Sequence, residues 1–323
     1  MSLLASDRDD GLLLRVVERK VEARDVVSLT LRRDDGGALP PWSPGAHLVV
    51  TLPGGIARSY SLSGDPARGD RYRLGILEEP GSRGGSVAMH ALREGDRLVT
   101  SAPRNAFPLH RSGGRVLLLA GGIGVTPLVS MAYGLKTAGA DYALHYCARS
   151  EERAAFRDEL QREFSAALCF HFDDGPPAQR FDAARLLREY RPGDELHVCG
   201  PAGFIEHVLA SASAAGWPAT AQHKEYFTAH VIATGRPFTV RAARSGKTVV
   251  VGPDQSIADA LAVQGVLVQL SCEQGICGTC VTGVLQGLPD HRDSYLTDEE
   301  RAANNQITVC CSRSNSDELV LDI

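Results

Sequence analysis

Hydrophobic and polar positions alternate in short runs over the first third of the chain. "LLLRVVERKVEARDVVSLTLRR", "HLVVTL", "RSYSLS", "YRLGILE" and "DRLVTSAP" are separated by Gly, Pro and Asp, the punctuation of turns between strands. One helical stretch, "GSVAMHALREG", interrupts them. Many short strands with a single helix predict a small antiparallel β-barrel over 1–110.

From Arg115 the texture changes. "RVLLLAGG", "DYALHYCARS", "LCFHFDD" and "ELHVCGP" are strand runs, while "TPLVSMAYGLKTAG", "EERAAFRDELQREF" and "AGFIEHVLASASAAG" carry helical spacing. That alternation predicts a doubly wound, parallel α/β domain over 111–228. "FTAHVIATGRP" marks a linker, 229–235, before a third module at 236–323. There "FTVRAARSGKTVVVGP" reads as a β-hairpin, "SIADALAVQG" as a helix opened by Ser256, and "SDELVLDI" as a closing strand. The fold class is multidomain, combining β and α/β modules.

Size agrees, because 323 residues exceed what one core usually serves. The formal charge of −5 is too small to argue for nucleic acid or an anionic membrane surface. Most of it sits in the last module, where seven Lys/Arg face eleven Asp/Glu, a difference of −4. That surface is either a docking face for a basic partner or simply solvated. No apolar stretch approaches the roughly 20 residues needed to span a bilayer, and "MSLLASDRDDGLLL" lacks the pattern of a signal peptide. Eight cysteines without export signals point to thiols or metal ligands in a reducing compartment, hence to a cytoplasmic protein.

Three of those cysteines crowd into "SCEQGICGTC". Cys272, Cys277 and Cys280, followed distantly by a fourth cysteine, have the C-x4-C-x2-C spacing of a plant-type 2Fe–2S cluster. Three thiolates from one loop wrap a compact cluster, and a fourth closes the cage from another segment. Gly275, Gly278 and Thr279 are small enough for backbone amides to approach the sulfurs. Zinc knuckles usually pair C-x2-C with a second such pair or with histidines, so zinc fits this spacing poorly. The fourth ligand is Cys310 or its neighbour Cys311; on a strand, adjacent residues face opposite ways and only one can reach the cluster.

"LLLAGGIGVTPLVSM" puts Gly121, Gly122 and Gly124 between a buried strand and a helix, where a pyrophosphate can approach backbone amides. Pro127 stands where a strict G-x-G-x-x-G would have its third glycine, and Thr126-Pro127 opens the helix. After the next strand come Arg149 and Ser150, then Glu151. The acid favours NADH and the arginine suits a 2′-phosphate, so cofactor choice stays open here. Cys199, Gly200 and Pro201 end a later strand at the rim where doubly wound sheets bind ligands.

In "RSYSLS", Arg58, Tyr60 and Leu62 would share one strand face and Ser59, Ser61 and Ser63 the other. Gly84, Gly85 and Ser86 then open a helix as a candidate phosphate seat. With these motifs, with "CGP", "KEYF", "DHRDSYLT" and "CCSRS", and over nearly its whole length, the chain resembles the phthalate dioxygenase reductase family. These are reductase components of Rieske non-haem iron oxygenase systems. The resemblance implies an antiparallel flavin-binding barrel, a nicotinamide-binding α/β domain and a C-terminal plant-type ferredoxin (β-grasp) domain. That domain order implies FMN.

It also lends roles. Arg58, Ser59, Tyr60 and Ser61 would hold the flavin; Gly75, Ile76 and Leu77 would line its ring; Gly84, Gly85 and Ser86 would take its phosphate. Thr126 would sit near flavin and nicotinamide, Cys199 beside the hydride path, and Phe227 against the isoalloxazine. The family's C-x-S-R ending matches "CCSR" only if Cys310 is the fourth ligand, with Cys311 left to pack. The implied activity is electron transfer from NADH through FMN and 2Fe–2S, one electron at a time, to a Rieske-type oxygenase or demethylase component. The family's usual form is a monomer. Two other readings are a reductase serving a cytochrome-type monooxygenase and a redox-sensing interaction protein.

Overall fold

A computed structural model of the chain describes residues 11–52, 56–79, 81–82, 84–227, 234–270, 275 and 278–323. The chain divides into two compact units. No helix among the described residues is long and apolar enough to cross a membrane.

The chain begins with strands β1 (Leu12–Ala23), β2 (Val26–Arg33), β3 (His47–Leu52), β4 (Ile56–Ser61) and β5 (Tyr72–Leu77), then helix α1 (Gly85–Ala91) and β6 (Arg97–Thr100), all in the first unit except the first three residues of β4. They form one sheet in the order β4-β3-β6-β1-β2-β5. A bridge between Leu62 and Leu74 links the two outermost strands and closes the barrel. Leu14, Leu29, Leu31, Leu48, Leu62 and Leu74 have no exposed surface, so inward-facing leucines from most of its strands make the core. β4 ends at Ser61, and Ser61, Leu62 and Ser63 are all buried. The alternation expected through Ser63 therefore stops where the chain leaves the strand.

The rest of this unit holds β7 (Val116–Gly121), α2 (Val125–Thr137), β8 (Tyr142–Ala148), α3 (Arg157–Phe164), β9 (Leu168–Phe172), α4 (Ala183–Leu187), β10 (Glu195–Gly200), α5 (Ala202–Ala214) and β11 (Gln222–Tyr226). All four pairings in the order β11-β10-β7-β8-β9 are parallel. Alternate residues of β7 serve two cores. Val116, Leu118 and Ala120 pack with α2 and α3, while Leu117 and Leu119 pack with α4 and α5. Strand order reverses between β7 and β10, which makes their carboxyl ends the ligand crevice of a doubly wound sheet.

The helix expected from Glu151 is broken. Phe156 adopts a left-handed φ of 60°, and α3 starts only after it. Its ring is buried under the Arg73 guanidinium, 4.7 Å away, so anchoring on the barrel overrides helical continuity. Helix α4 and strand β11 had no counterpart among the expected elements.

The second unit contains β12 (Phe238–Ala242), β13 (Lys247–Val251), α6 (Ile257–Val263), β14 (Val281–Gln286), β15 (Pro289–Asp290), α7 (Asp298–Ala303), β16 (Gln306–Thr308), β17 (Arg313–Ser314) and β18 (Glu318–Leu321). The sheet order β13-β12-β18-β14-β16, with β12 and β18 parallel, and α6 packed on it is a β-grasp. The β12–β13 hairpin forms as expected. Ser256 caps α6 by accepting from the Asp259 amide at 3.0 Å. Unforeseen α7 carries a full capping box between Thr297 and Glu300.

Candidate active site and cysteine loop

At the sheet's carboxyl rim two turns meet backbone to backbone. A Cβ on Gly124 would lie 2.3 Å from the Cys199 carbonyl oxygen, and one on Gly200 would lie 2.9 Å from the Gly121 Cα. On Gly121 it would strike the Phe204 ring at 2.8 Å and Pro201 at 3.0 Å. These glycines let β7 and β10 close on each other. Gly122, with φ +55° and open space at its Cβ position, is the one left free to admit a ligand. Pro127 lies in the first turn of α2, where its missing N–H forfeits no helical bond. Thr126 is buried and its hydroxyl donates to the Ile123 carbonyl at 3.0 Å.

The barrel reaches the same place. A Cβ on Gly75 would meet the Thr126 methyl at 2.7 Å and the Phe156 ring at 2.9 Å, so β5 lies directly against α2. Gly75 and Ile76 are buried and Leu77 is half-buried. Arg73 and Glu159 form an ion pair across this packing, with Tyr133 donating to the same carboxylate at 2.8 Å.

Cys199 has no exposed surface, and on the neighbouring parallel strand its register partner is Glu225. Ser61 of β4 is hydrogen-bonded to the Glu225 carboxyl, whose Oε2 has no partner. Burial pushes this carboxyl up to about 8. Burial, and then Glu225 itself, drive the Cys199 thiol well above its ordinary value. Three strands thus bring a hydroxyl, a carboxylic acid and a thiol to one buried spot, with Phe227 half-buried immediately beyond β11.

The remaining expected residues make their own local contacts. Arg58 is half-buried and donates to the Ala57 carbonyl at 2.8 Å; Ser59 and Tyr60 are half-buried beside it. Gly84 caps α1 with φ 92°, Gly85 is buried, and the Ser86 hydroxyl accepts from the Glu79 amide at 3.1 Å. Arg149 is exposed after β8, and the Ser150 hydroxyl is buried without a partner. Glu151 is ion-paired with Arg157.

In the second unit, Cys272 and Cys277 lie outside the described residues. Cys280, Cys310 and Cys311 are buried free thiols. Cys310 and Cys311 stand in a turn after β16 rather than on a strand, so alternation does not separate them. Their contacts do. Cys310 is hydrogen-bonded with Cys280 and with Cys311, which raises its thiol, and Cys311 also sits 3.2 Å from the Thr308 hydroxyl and 2.5 Å from where a Gly275 Cβ would lie. Gly275 and Gly278 both have φ +70°; a Cβ on Gly278 would overlap the Tyr295 ring at 2.1 Å. The "DHRDSYLT" segment braces this loop. The Ser294 amide donates to the Gly275 carbonyl at 2.9 Å, and Asp293 accepts from the amides of Tyr295 and Leu296 at 3.1 and 2.7 Å.

Residues 240–315 match the family model of the 2Fe-2S iron-sulfur cluster binding domain. The chain is 49% identical to the vanillate O-demethylase oxidoreductase of Pseudomonas sp. (strain HR199 / DSM 7063), covering 94% of this chain and 97% of that one. It is 37% identical to the phthalate dioxygenase reductase of Burkholderia cepacia, over 99% of this chain and 100% of that one. The solved structure of a phthalate dioxygenase reductase, described as a modular structure for electron transfer from pyridine nucleotides to [2Fe-2S], superposes with a TM-score of 0.71 at 37% identity, covering 97% of this chain and 98% of that one.

The chain belongs to the phthalate dioxygenase reductase family.

It is accordingly an oxidoreductase of oxygenase systems, built to carry electrons from a nicotinamide through a flavin and a 2Fe–2S cluster. The residues present suit those groups. Gly122 leaves backbone open at the crevice, the orphaned Glu225 oxygen awaits a polar partner, and buried unbridged thiols line the β-grasp loop. Sequence reasoning quoted "KEYF" but gave Glu225 no role. A lone acid on a short strand reveals itself only through its register with Cys199 and its contact with Ser61.

Proposed function

We propose that this reductase takes a hydride from NADH and delivers electrons singly, through FMN and the 2Fe–2S cluster, to a Rieske-type oxygenase or demethylase component. The observation that carries the reading is the convergence of Ser61, Cys199 and Glu225 at the crevice of a nicotinamide-type sheet that is packed on a barrel. The flavin, when bound, accepts an electron pair and releases single electrons.

The chain's own residues do the rest. Arg58, Ser59, Tyr60 and Ser61 bind and orient the flavin, while Gly75, Ile76 and Leu77 wall its ring and Gly84, Gly85 and Ser86 seat its phosphate. Thr126 and Gly122 position the nicotinamide, and the closed Gly121/Gly200 contact excludes water behind it. Cys199 abuts the hydride path, with Phe227 covering the ring. Glu225, protonated at neutral pH, holds a proton beside Ser61. Cys272, Cys277, Cys280 and Cys310 ligate the cluster, and Cys311 packs. Gly200 and Pro201 complete the crevice wall beside Cys199, and Arg149 and Ser150 hold the dinucleotide's other end.

The 49% identical vanillate O-demethylase oxidoreductase favours an O-demethylase as acceptor. The acidic surface of 236–323 supplies a docking face for it, on a monomer working in the cytoplasm. A second reading, a cytochrome-type acceptor, draws on an intact type IV self-sufficient cytochrome P450 monooxygenase. That structure matches with a TM-score of 0.82 at 37% identity over 97% of this chain, which spans 41% of its length.

Anaerobic titration with NADH tests the proposal. Loss of flavin absorbance followed by bleaching of the cluster is expected, then electron delivery to a purified Rieske-type demethylase component. Flavin bleaching with an unreduced cluster, or faster delivery to a cytochrome acceptor, would count against it. A steady-state preference for NADPH would overturn the choice of nicotinamide.

A further inference from the structure

At the opposite edge of the parallel sheet from Cys199 and Glu225, β8 and β9 carry a group of side chains that the redox chemistry does not use. His145 is the register partner of Cys169, and His171 lies two residues further along β9. Neighbours in a parallel pair, and residues two apart on one strand, project to the same face. His145, Cys169 and His171 therefore emerge together, and their ligand-type atoms all lie within 4.8 Å of one another.

The hydrogen bonds fix the tautomers. His171 Nδ1 lies 3.1 Å from the Gln179 carbonyl oxygen, which can only accept, so Nδ1 carries the proton and Nε2 presents a lone pair. That lone pair accepts from His145 Nδ1 at 3.0 Å, so His145 carries its proton on Nδ1 and a metal bound there would move that proton to Nε2. A histidine whose far nitrogen donates to a carbonyl while its near nitrogen keeps the lone pair is arranged as a metal ligand is. The His171 ring is further held edge-on by Phe181, with centroids 5.3 Å apart. Cys169 is exposed, and its thiol makes only a long 4.0 Å contact with the Phe170 carbonyl, easily exchanged for another partner.

We propose that His145, Cys169 and His171 form a zinc site on the sheet edge, with a fourth position open to water. With the Cys169 thiol proton released to solvent on binding, two imidazoles and one thiolate are a borderline-soft donor set that suits zinc and leaves magnesium or calcium unserved. With bond lengths of about 2.0–2.1 Å to nitrogen and 2.3 Å to sulfur, tetrahedral geometry needs donor separations of roughly 3.4–3.6 Å. The histidine nitrogens must part by a few tenths of an ångström, and the exposed thiol must swing inward. The open position faces a cavity of about 1170 Å³ that all three residues help to line. Arg115 lines the same cavity and is drawn toward Asp141 at 3.8 Å, while Arg111, Arg180, Arg185, Arg188 and Arg191 also line it, so an anion is the natural occupant of the fourth position beside a bound cation. Bound zinc would tie edge strand β9 to β8 and mask the Cys169 thiol.

Zinc chloride is added to the flavin- and cluster-loaded protein in the presence of a chromogenic zinc competitor, with the visible absorbance of the cluster followed throughout. One equivalent should bind at micromolar or tighter affinity without loss of cluster absorbance. Alkylation of Cys169, read by peptide mass spectrometry, should slow about tenfold or more when zinc is present. Cys169→Ser and His145→Ala should each weaken zinc binding by at least about tenfold, as loss of a ligand should cost no less than loss of a ligand's supporting contact. The proposal is overturned if the wild type takes up no zinc at micromolar concentration, if both variants match its affinity, or if zinc leaves the alkylation rate of Cys169 unchanged.

Discussion

Gly124 faces the carbonyl oxygen of Cys199 with no room between them for a methyl group, since a Cβ would stand 2.3 Å away. Gly124 caps α2 and Cys199 lies near the end of β10, so this one contact sets how closely the two walls of the nicotinamide crevice approach. Because both partners are backbone, no side-chain rearrangement can relieve an intrusion.

Gly124→Ala should therefore force the turn after β7 away from β10. Overpacking of this kind costs about 1–3 kcal/mol of stability. Displacing the nicotinamide relative to the flavin costs more in rate, about a hundredfold for a shift near 1 Å. Stopped-flow reduction of the flavin by NADH should show that loss while the oxidised visible spectrum keeps its shape. A wild-type reduction rate would mean that the contact does not position the hydride donor.

The buried Glu225 carboxyl gives a stability effect with a definite sign. Its folded value of about 8 exceeds the ordinary 4.5, so the folded protein holds a proton that the unfolded chain releases. The resulting stability is fully present below about 4.5 and is lost as the pH rises through about 8. Glu225→Gln has no proton to lose. Its melting temperature should move upward relative to wild type between pH 5 and pH 9, even as hydride transfer slows. Parallel pH profiles of melting for the two proteins would remove Glu225 as the source of the effect.

What could be read in advance follows the range of the interactions. Ser256 capping α6, the β12–β13 hairpin and the strand-turn-helix around Gly121 are local in sequence and were legible there. Phe156 broke its expected helix because its ring is committed to the barrel, a partner far away in the chain. Glu225 stayed silent for the same reason, since its meaning lies in Cys199 and Ser61. The glycines of "AGGIG" were recognised as a ligand turn, yet Gly121 and Gly124 are needed first for packing against β10 and α5. Composition and spacing cannot separate a glycine kept for a phosphate from one kept for a neighbouring backbone.

Gly278 offers a test of the cysteine loop that leaves every thiol intact. Its φ of +70° and the Tyr295 ring over its Cβ position oppose any side chain. The left-handed backbone alone costs an alanine about 1–2 kcal/mol. Gly278→Ala should lower iron content and cluster absorbance, while the flavin is still reduced by NADH at the wild-type rate. Combining it with Tyr295→Ala, which removes the clash but not the backbone strain, should restore part of the iron. Full iron loading in the single variant would show that the loop tolerates the displacement.

The adjacent pair Cys310 and Cys311 should respond to substitution in opposite ways. Both are buried thiols in the same turn and are hydrogen-bonded to each other, but Cys310 also contacts Cys280 whereas Cys311 lies against the Thr308 and Ser312 hydroxyls. A serine at 311 can replace those weak sulfur contacts with ordinary hydroxyl hydrogen bonds, so Cys311→Ser should retain iron, sulfide and electron delivery to an external acceptor. A serine at 310 removes a soft thiolate from the cage and offers a hard, protonated oxygen in its place. Cys310→Ser should lose most of its iron or shift the cluster's visible spectrum, and one-electron delivery should fall with it while NADH still bleaches the flavin. If Cys311→Ser loses the cluster and Cys310→Ser keeps it, the fourth ligand is Cys311, and the contact between Cys280 and Cys310 is packing alone.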